Sequence, residues 1–251
     1  MFELASTPRD LGEILLQGLT LGRLAFRRLF ILTSAMAFLG LMPTACLVWG
    51  AGDVSMDMDH MVAGLRGNYG RVGFLVLVLA LPLRAIVLQR VAAAARGQTY
   101  ALNEELRKAL RLWPWLFVAG LIYVAAVGVG LVLLLVPGAI LALTLMFEEF
   151  GIVLEGQGPI EALNASHNRV WGHWWRTLGL LLLMFVPLGV LLGIMSAILG
   201  IDPGTTALAV TGRNLFAQTV LEMVFTAVFG PFIYCVLYVY YHDLKLRKSG
   251  A

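Results

Sequence analysis

The feature that most constrains this chain is an alternation: long apolar stretches joined in turn by arginine-rich and arginine-poor segments. Runs such as 29–51 and 215–241 are long enough to cross a hydrocarbon layer about 30 Å thick, which takes about 20 helical residues. The pattern predicts an all-α fold, a polytopic membrane bundle of six spanning helices. With 60% hydrophobic and 13% charged residues and a mean hydropathy of +0.86, the chain departs from the roughly 45–50% apolar and 25% charged composition of soluble domains. No polar linker or low-complexity tract divides residues 1–251, so a single integral membrane domain is expected. The net charge of +3 comes from cations beside apolar runs, which points to anionic lipid headgroups as partners and away from nucleic acid.

Along the chain, residues 8–28 place Leu11, Ile14, Leu15, Leu19 and Phe26 opposite Arg9, Glu13, Gln17, Arg23 and Arg27, an amphipathic helix expected to lie in the membrane interface. Thr7 is its expected N-cap and Pro8 its first residue. No cleavable leader is expected, because the first apolar span follows this long amphipathic segment. Spans are predicted at about 29–51, 72–92, 113–135, 137–155, 175–199 and 214–241. Two more interfacial helices are expected at 99–112 and 159–172, with a hairpin turn at Val136-Pro137-Gly138. Trp113, Trp115, Trp171, Trp174 and Trp175 mark water–membrane boundaries, where indoles prefer to sit. Fourteen Lys and Arg residues fall on one side of this layout and three, Arg66, Arg71 and Arg213, on the other. Positive charge marks the cytoplasmic side, so both termini are expected there. The unit of amphipathic helix plus two-span hairpin recurs three times, with Pro82, Pro137 and Pro231 in or at the start of each second span, and predicts a threefold repeat.

Two short motifs carry a family resemblance. The first is Gly158-Pro159-Ile160-Glu161-Ala162-Leu163-Asn164-Ala165-Ser166 with Trp171-Gly172-His173-Trp174-Trp175-Arg176. The second is the ending Tyr240-Tyr241-His242-Asp243-Leu244-Lys245-Leu246-Arg247. With them the chain resembles the YciC-like group of uncharacterised bacterial six-helix inner-membrane proteins, and is similar to the membrane domain fused to some glycerophosphodiester phosphodiesterases. The resemblance implies an inner-membrane location and brings no catalytic residues, since those relatives keep their chemistry in a separate soluble domain. His242 is inserted here between the tyrosine pair and Asp243, which departs from the commoner spacing.

Charges inside apolar spans are costly, by about 2.5–3.5 kcal/mol each on insertion scales, and therefore draw attention. Arg84, Glu148, Glu149 and Glu222 are the candidate intramembrane site. Arg84 and Glu148 are expected at similar depth, where an ion pair is possible, while an Arg84 that snorkels to the headgroups is the competing expectation. Adjacent helical residues point about 100° apart, so Glu148 and Glu149 cannot both face one partner. Glu222 is expected either beside that path or in a helix–helix hydrogen bond. Cys46 and Cys235 lie in apolar stretches and read as small hydrophobes. His60, His167, His173 and His242 lack metal-ligand spacing, so neither a metal nor any other cofactor is expected. The sequence thus favours a non-enzymatic membrane-organising or lipid-interacting protein. The alternative is a small transporter or channel lined by the intramembrane Arg and Glu residues.

Overall fold

A computed structural model describes residue 4 and residues 6–51, 68–98, 101–201 and 212–249. Regular structure within them is helical: α1 (Leu11–Ala51), α2 (Asn68–Ala95), α3 (Leu102–Leu133), α4 (Leu135–Leu145), α5 (Pro159–Val170), α6 (Trp174–Ile198) and α7 (Gly212–Ser249). A single turn at Glu148–Phe150 and a π-helical turn at Gly151–Glu155 extend α4. Among the described residues, six segments are long and apolar enough to cross a membrane: Leu11–Cys46, Gly70–Ala95, Leu102–Leu133, Leu135–Glu155, Trp174–Ile198 and Asn214–Lys248. The all-α expectation and the span count both hold. Most of the acidic loop at 52–70 and the Asp202-Pro203-Gly204 turn lie outside the described residues.

Several expected boundaries are corrected. α1 runs unbroken through residues 28–29 for 41 residues, about 60 Å at 1.5 Å per residue. Residues 8–28 are therefore not a separate helix. α3 likewise carries most of 99–112 directly into the third span. The reason is local: Arg27-Arg28-Leu29-Phe30 and Arg111-Leu112-Trp113 contain no residue that stops a helix. Pro114 is held inside α3 at the loss of one backbone hydrogen bond. The segment 159–172 does form its own helix, α5, because Gly172 adopts φ +88° after it, a left-handed conformation open mainly to glycine.

At the N-terminus, Thr7 and Pro8 precede the helix. Asp10 supplies the first acceptor, its carbonyl taking the Ile14 N–H at 3.1 Å. The hairpin turn between the third and fourth spans is Leu134, at φ −155° and ψ 126°, and Pro137 sits in the first helical turn, where its missing N–H costs nothing. Gly138 then packs on α3 so closely that a Cβ would lie 2.7 Å from the Gly130 carbonyl carbon. The three prolines of the expected repeat occupy unlike positions, interior to α2 and α7 but in the first turn of α4.

The chain divides into two compact units, Met1–Leu29 with Leu81–Met184 and Pro231–Ala251, and Phe30–Ala80 with Phe185–Gly230. The first buries Ile14, Leu21, Leu88, Phe147, Ile152, Leu180, Tyr240 and Leu244. Phe147, Phe150, Tyr240 and Tyr241 pack there in tilted and edge-to-face pairs with ring centroids 5.1–6.0 Å apart. In the second unit the buried Thr33 hydroxyl donates to the Ala227 carbonyl at 3.2 Å, while Leu75, Val190 and Val224 are exposed. Cys46 and Cys235 are both free thiols.

Candidate functional site

Three polar constellations lie in the first unit. The one inside the spans centres on Arg84 of α2, whose Nη2 lies 3.0 Å from Glu149 Oε1. The Arg84 side chain is 41% exposed and that of Glu149 12%. Glu148 turns the other way into the core, as the 100° step between helical neighbours requires. It is buried, and its Oε2 has no hydrogen-bond partner among the described residues. Tyr234 of α7 lies beside Arg84. The guanidinium therefore pairs with Glu149, and Glu148 stands beside that pair. The backbone here is irregular, because α4 ends at Leu145 and the chain turns before Glu148. Ser166 of α5 closes the gap: its Oγ accepts the Phe147 N–H at 3.1 Å and donates to the Thr144 carbonyl at 2.7 Å. Buried backbone groups freed by a helix break need such partners.

The second constellation joins distant parts of the chain around Asp243 and Glu155. Asp243 Oδ1 accepts the Arg9 backbone N–H at 2.8 Å, and Oδ2 takes Arg247 Nε at 2.8 Å with Arg176 at 3.5 Å. Both guanidiniums also donate to the Arg9 carbonyl. Glu155, at the end of the π-helical turn, pairs with Arg169 at 2.6 Å and Lys245 at 2.9 Å and accepts the Tyr241 hydroxyl at 2.7 Å. Arg169 also donates to the Tyr241 oxygen. Thr177 and Tyr240 share a buried hydroxyl–hydroxyl bond at 2.9 Å. The result is a clasp that ties the segment before α1 and helices α5, α6 and α7 to one another. Beside it His173, between α5 and α6, has its pKa lowered by partial burial and by the cations Arg247, Lys248 and Arg176.

The third is a cavity of about 210 Å³ where α2 ends and α3 begins, lined by Gln89, Ala92, Arg96, Glu104, Glu105, Lys108 and Leu154. Glu105 is buried against Arg90 at 2.9 Å, and Arg90 also donates to the Arg28 carbonyl.

Of the four expected intramembrane residues, Arg84, Glu148 and Glu149 come together. Glu222 lies in the other unit, exposed on α7, where Gln218 of its own helix donates to it at 3.2 Å. Trp113, Trp115, Trp171 and Trp175 are exposed, Trp174 stacks on Trp175 at 3.9 Å and His167 on Trp171 at 5.1 Å. Sequence reasoning missed Glu155, Arg169, Arg176 and Gln89. Arg176, like Ser166, stood within the first quoted motif, and Asp243 and Arg247 in the second, so the two motifs signalled one shared site.

Six membrane-length helices with internally paired charges define a class of helical membrane protein. The model of one family, described as Domain of unknown function (DUF7847), matches residues 29–244, and the chain belongs to that family. No curated protein and no solved structure matches it.

Proposed function

We propose that this chain is a non-enzymatic, membrane-organising and lipid-interacting protein of a bacterial inner membrane, YciC-like in kind, with both termini cytoplasmic. The observation that carries this reading is the charge balance of the clasp. Four cations, Arg169, Arg176, Lys245 and Arg247, meet two carboxylates, Glu155 and Asp243, so the clasp holds surplus positive charge where apolar helices end. Such a surplus beside exposed Trp171 and Trp175 suits anionic headgroups, which attract a cation at the surface by about 1 kcal/mol each. Most polar groups of the clasp are spent on one another, which suits a rigid structural role. Spin-labelled lipids report the test. In vesicles of mixed headgroup, the annulus around the protein is expected to be enriched in anionic over zwitterionic lipid, with the enrichment falling as salt rises. Equal occupancy by both classes defeats the reading. A cysteine placed in 101–111 is expected to resist external impermeant label in intact cells.

A second reading, transport, is favoured by one observation: Glu148 is buried with a free oxygen beside the Arg84–Glu149 pair, at a helix break. Broken helices at charged intramembrane sites are a feature of transporters. Proton or cation flux in proteoliposomes that is abolished by Glu148→Gln would favour it over the organising role.

A further inference from the structure

The cavity at the junction of α2 and α3 carries more than the clasp does, because its polar groups are not all spent. Glu105 is buried and balanced by Arg90 at 2.9 Å. That leaves two cations, Lys108 and Arg96, the latter also bonded to Tyr238, and one carboxylate, Glu104, all exposed on the lining. The lining also holds Gln89, buried to 6% exposure, whose Nε2 has no hydrogen-bond partner among the described residues. A buried amide donor without an acceptor is unfavourable, so the position calls for one. Two cations and an unmatched amide donor around about 210 Å³ describe a receptor for a small oxyanion, in a space that holds several water-sized groups. The cavity lies where apolar segments end: α2 stops at Ala95, Glu104 and Lys108 stand in the opening turns of α3, and Leu154 lies at the end of the fourth candidate span.

We propose that this cavity binds a phosphate group, resting on the lipid-interacting reading above and giving it a specific site. The phosphate oxygens accept from Arg96, Lys108 and Gln89, and Glu104 accepts from a hydroxyl or ammonium group attached beyond the phosphate. The chemistry is that of a phosphodiester headgroup or of a free phosphate, and the two sources differ only in whether acyl chains accompany the ligand.

The test uses the full chain in detergent and native mass spectrometry with four probes: dioctanoyl phosphatidylglycerol, dioctanoylglycerol, glycerol phosphate and inorganic phosphate. One equivalent of the phosphatidylglycerol is expected to bind, and dioctanoylglycerol not. Arg96→Gln and Lys108→Gln are each expected to weaken it about tenfold or more, since each removes a charge-assisted hydrogen bond. Lys108→Arg is expected to retain it, and Gln89→Leu to weaken it severalfold. Both cations are exposed, so unchanged melting temperatures will show that the variants remain folded. Displacement by glycerol phosphate or inorganic phosphate at equal concentration, with the same dependence on the three residues, supports the phosphate site and assigns it a soluble ligand. One-site binding unaffected by all three substitutions, or equally strong binding of dioctanoylglycerol, overturns the proposal. If the spin-label enrichment in anionic lipid persists while this binding is absent, only the cavity assignment fails; if both are absent, the lipid-interacting reading fails with it.

Discussion

Asp243 and Glu148 are buried almost equally, at 4% and 6% exposure, in the same compact unit, yet they keep different company. Asp243 has both oxygens occupied, by the Arg9 amide and by two guanidiniums. Glu148 Oε2 has no hydrogen-bond partner among the described residues, and Arg84 bonds to the neighbouring Glu149. A buried carboxylate is tolerated when hydrogen bonds and opposite charge replace its lost hydration. Asp243 meets that condition and works as a structural keystone. Glu148 does not meet it in full, and the helix around it is broken, so the fold holds it there at a cost in stability. The contrast separates a polar group that builds the protein from one that the protein accommodates.

The largest expected effect comes from breaking the saturated side of this contrast. Asp243→Ala removes the carboxylate that balances Arg176 and Arg247 and frees the Arg9 amide, which should destabilise the protein by about 3–5 kcal/mol in thermal melts in detergent. Arg84→Ala should cost less, about 1–3 kcal/mol, because it removes one ion pair rather than a carboxylate that holds two guanidiniums and a backbone amide. A double-mutant cycle sharpens the point, with coupling expected to be larger for Arg84 with Glu149 than for Arg84 with Glu148. Ser166→Ala removes both bonds that stitch the break after α4 and should cost about 1–2 kcal/mol in the same melts.

The smallest effect is a pH dependence. The folded protein holds the pKa of His173 below its ordinary 6.5, so the folded state binds a proton less readily than the unfolded chain does. The stability this residue contributes is therefore fully present above pH 6.5 and is lost as pH falls below it. A melting temperature followed from pH 7.5 to 5 should decline less in His173→Gln than in the parent. An identical decline in both would remove His173 from the account.

How much of this was legible beforehand follows from what each signal measures. Hydropathy locates where a chain leaves water, so the six spans could be read directly. It does not locate where a helix ends, which is why α1 and α3 run through boundaries expected at residues 28–29 and 112–113. The interruption after Phe147 was visible as Glu148 and Glu149 in the run, but its repair by Ser166 depends on how α5 packs and has no local signature. Asp243 and Arg247 stand four residues apart, a spacing that brings side chains together on any helix. Glu155 and Tyr241 are 86 positions apart, and only the fold brings them together. The Gln89 Nε2, without a hydrogen-bond partner among the described residues, has no sequence counterpart at all.

The central claim is that Asp243 fastens the segment before α1 to α6 and α7, whereas Glu148 takes no part in that fastening. Hydrogen–deuterium exchange on the full chain in nanodiscs measures it most directly, with Asp243→Asn and Glu148→Gln compared against the parent. Asp243→Asn is expected to raise exchange in peptides covering 6–16 and 174–180, and Glu148→Gln is expected to leave both regions protected. Unchanged protection in Asp243→Asn, or equal loss in the two variants, would contradict the account.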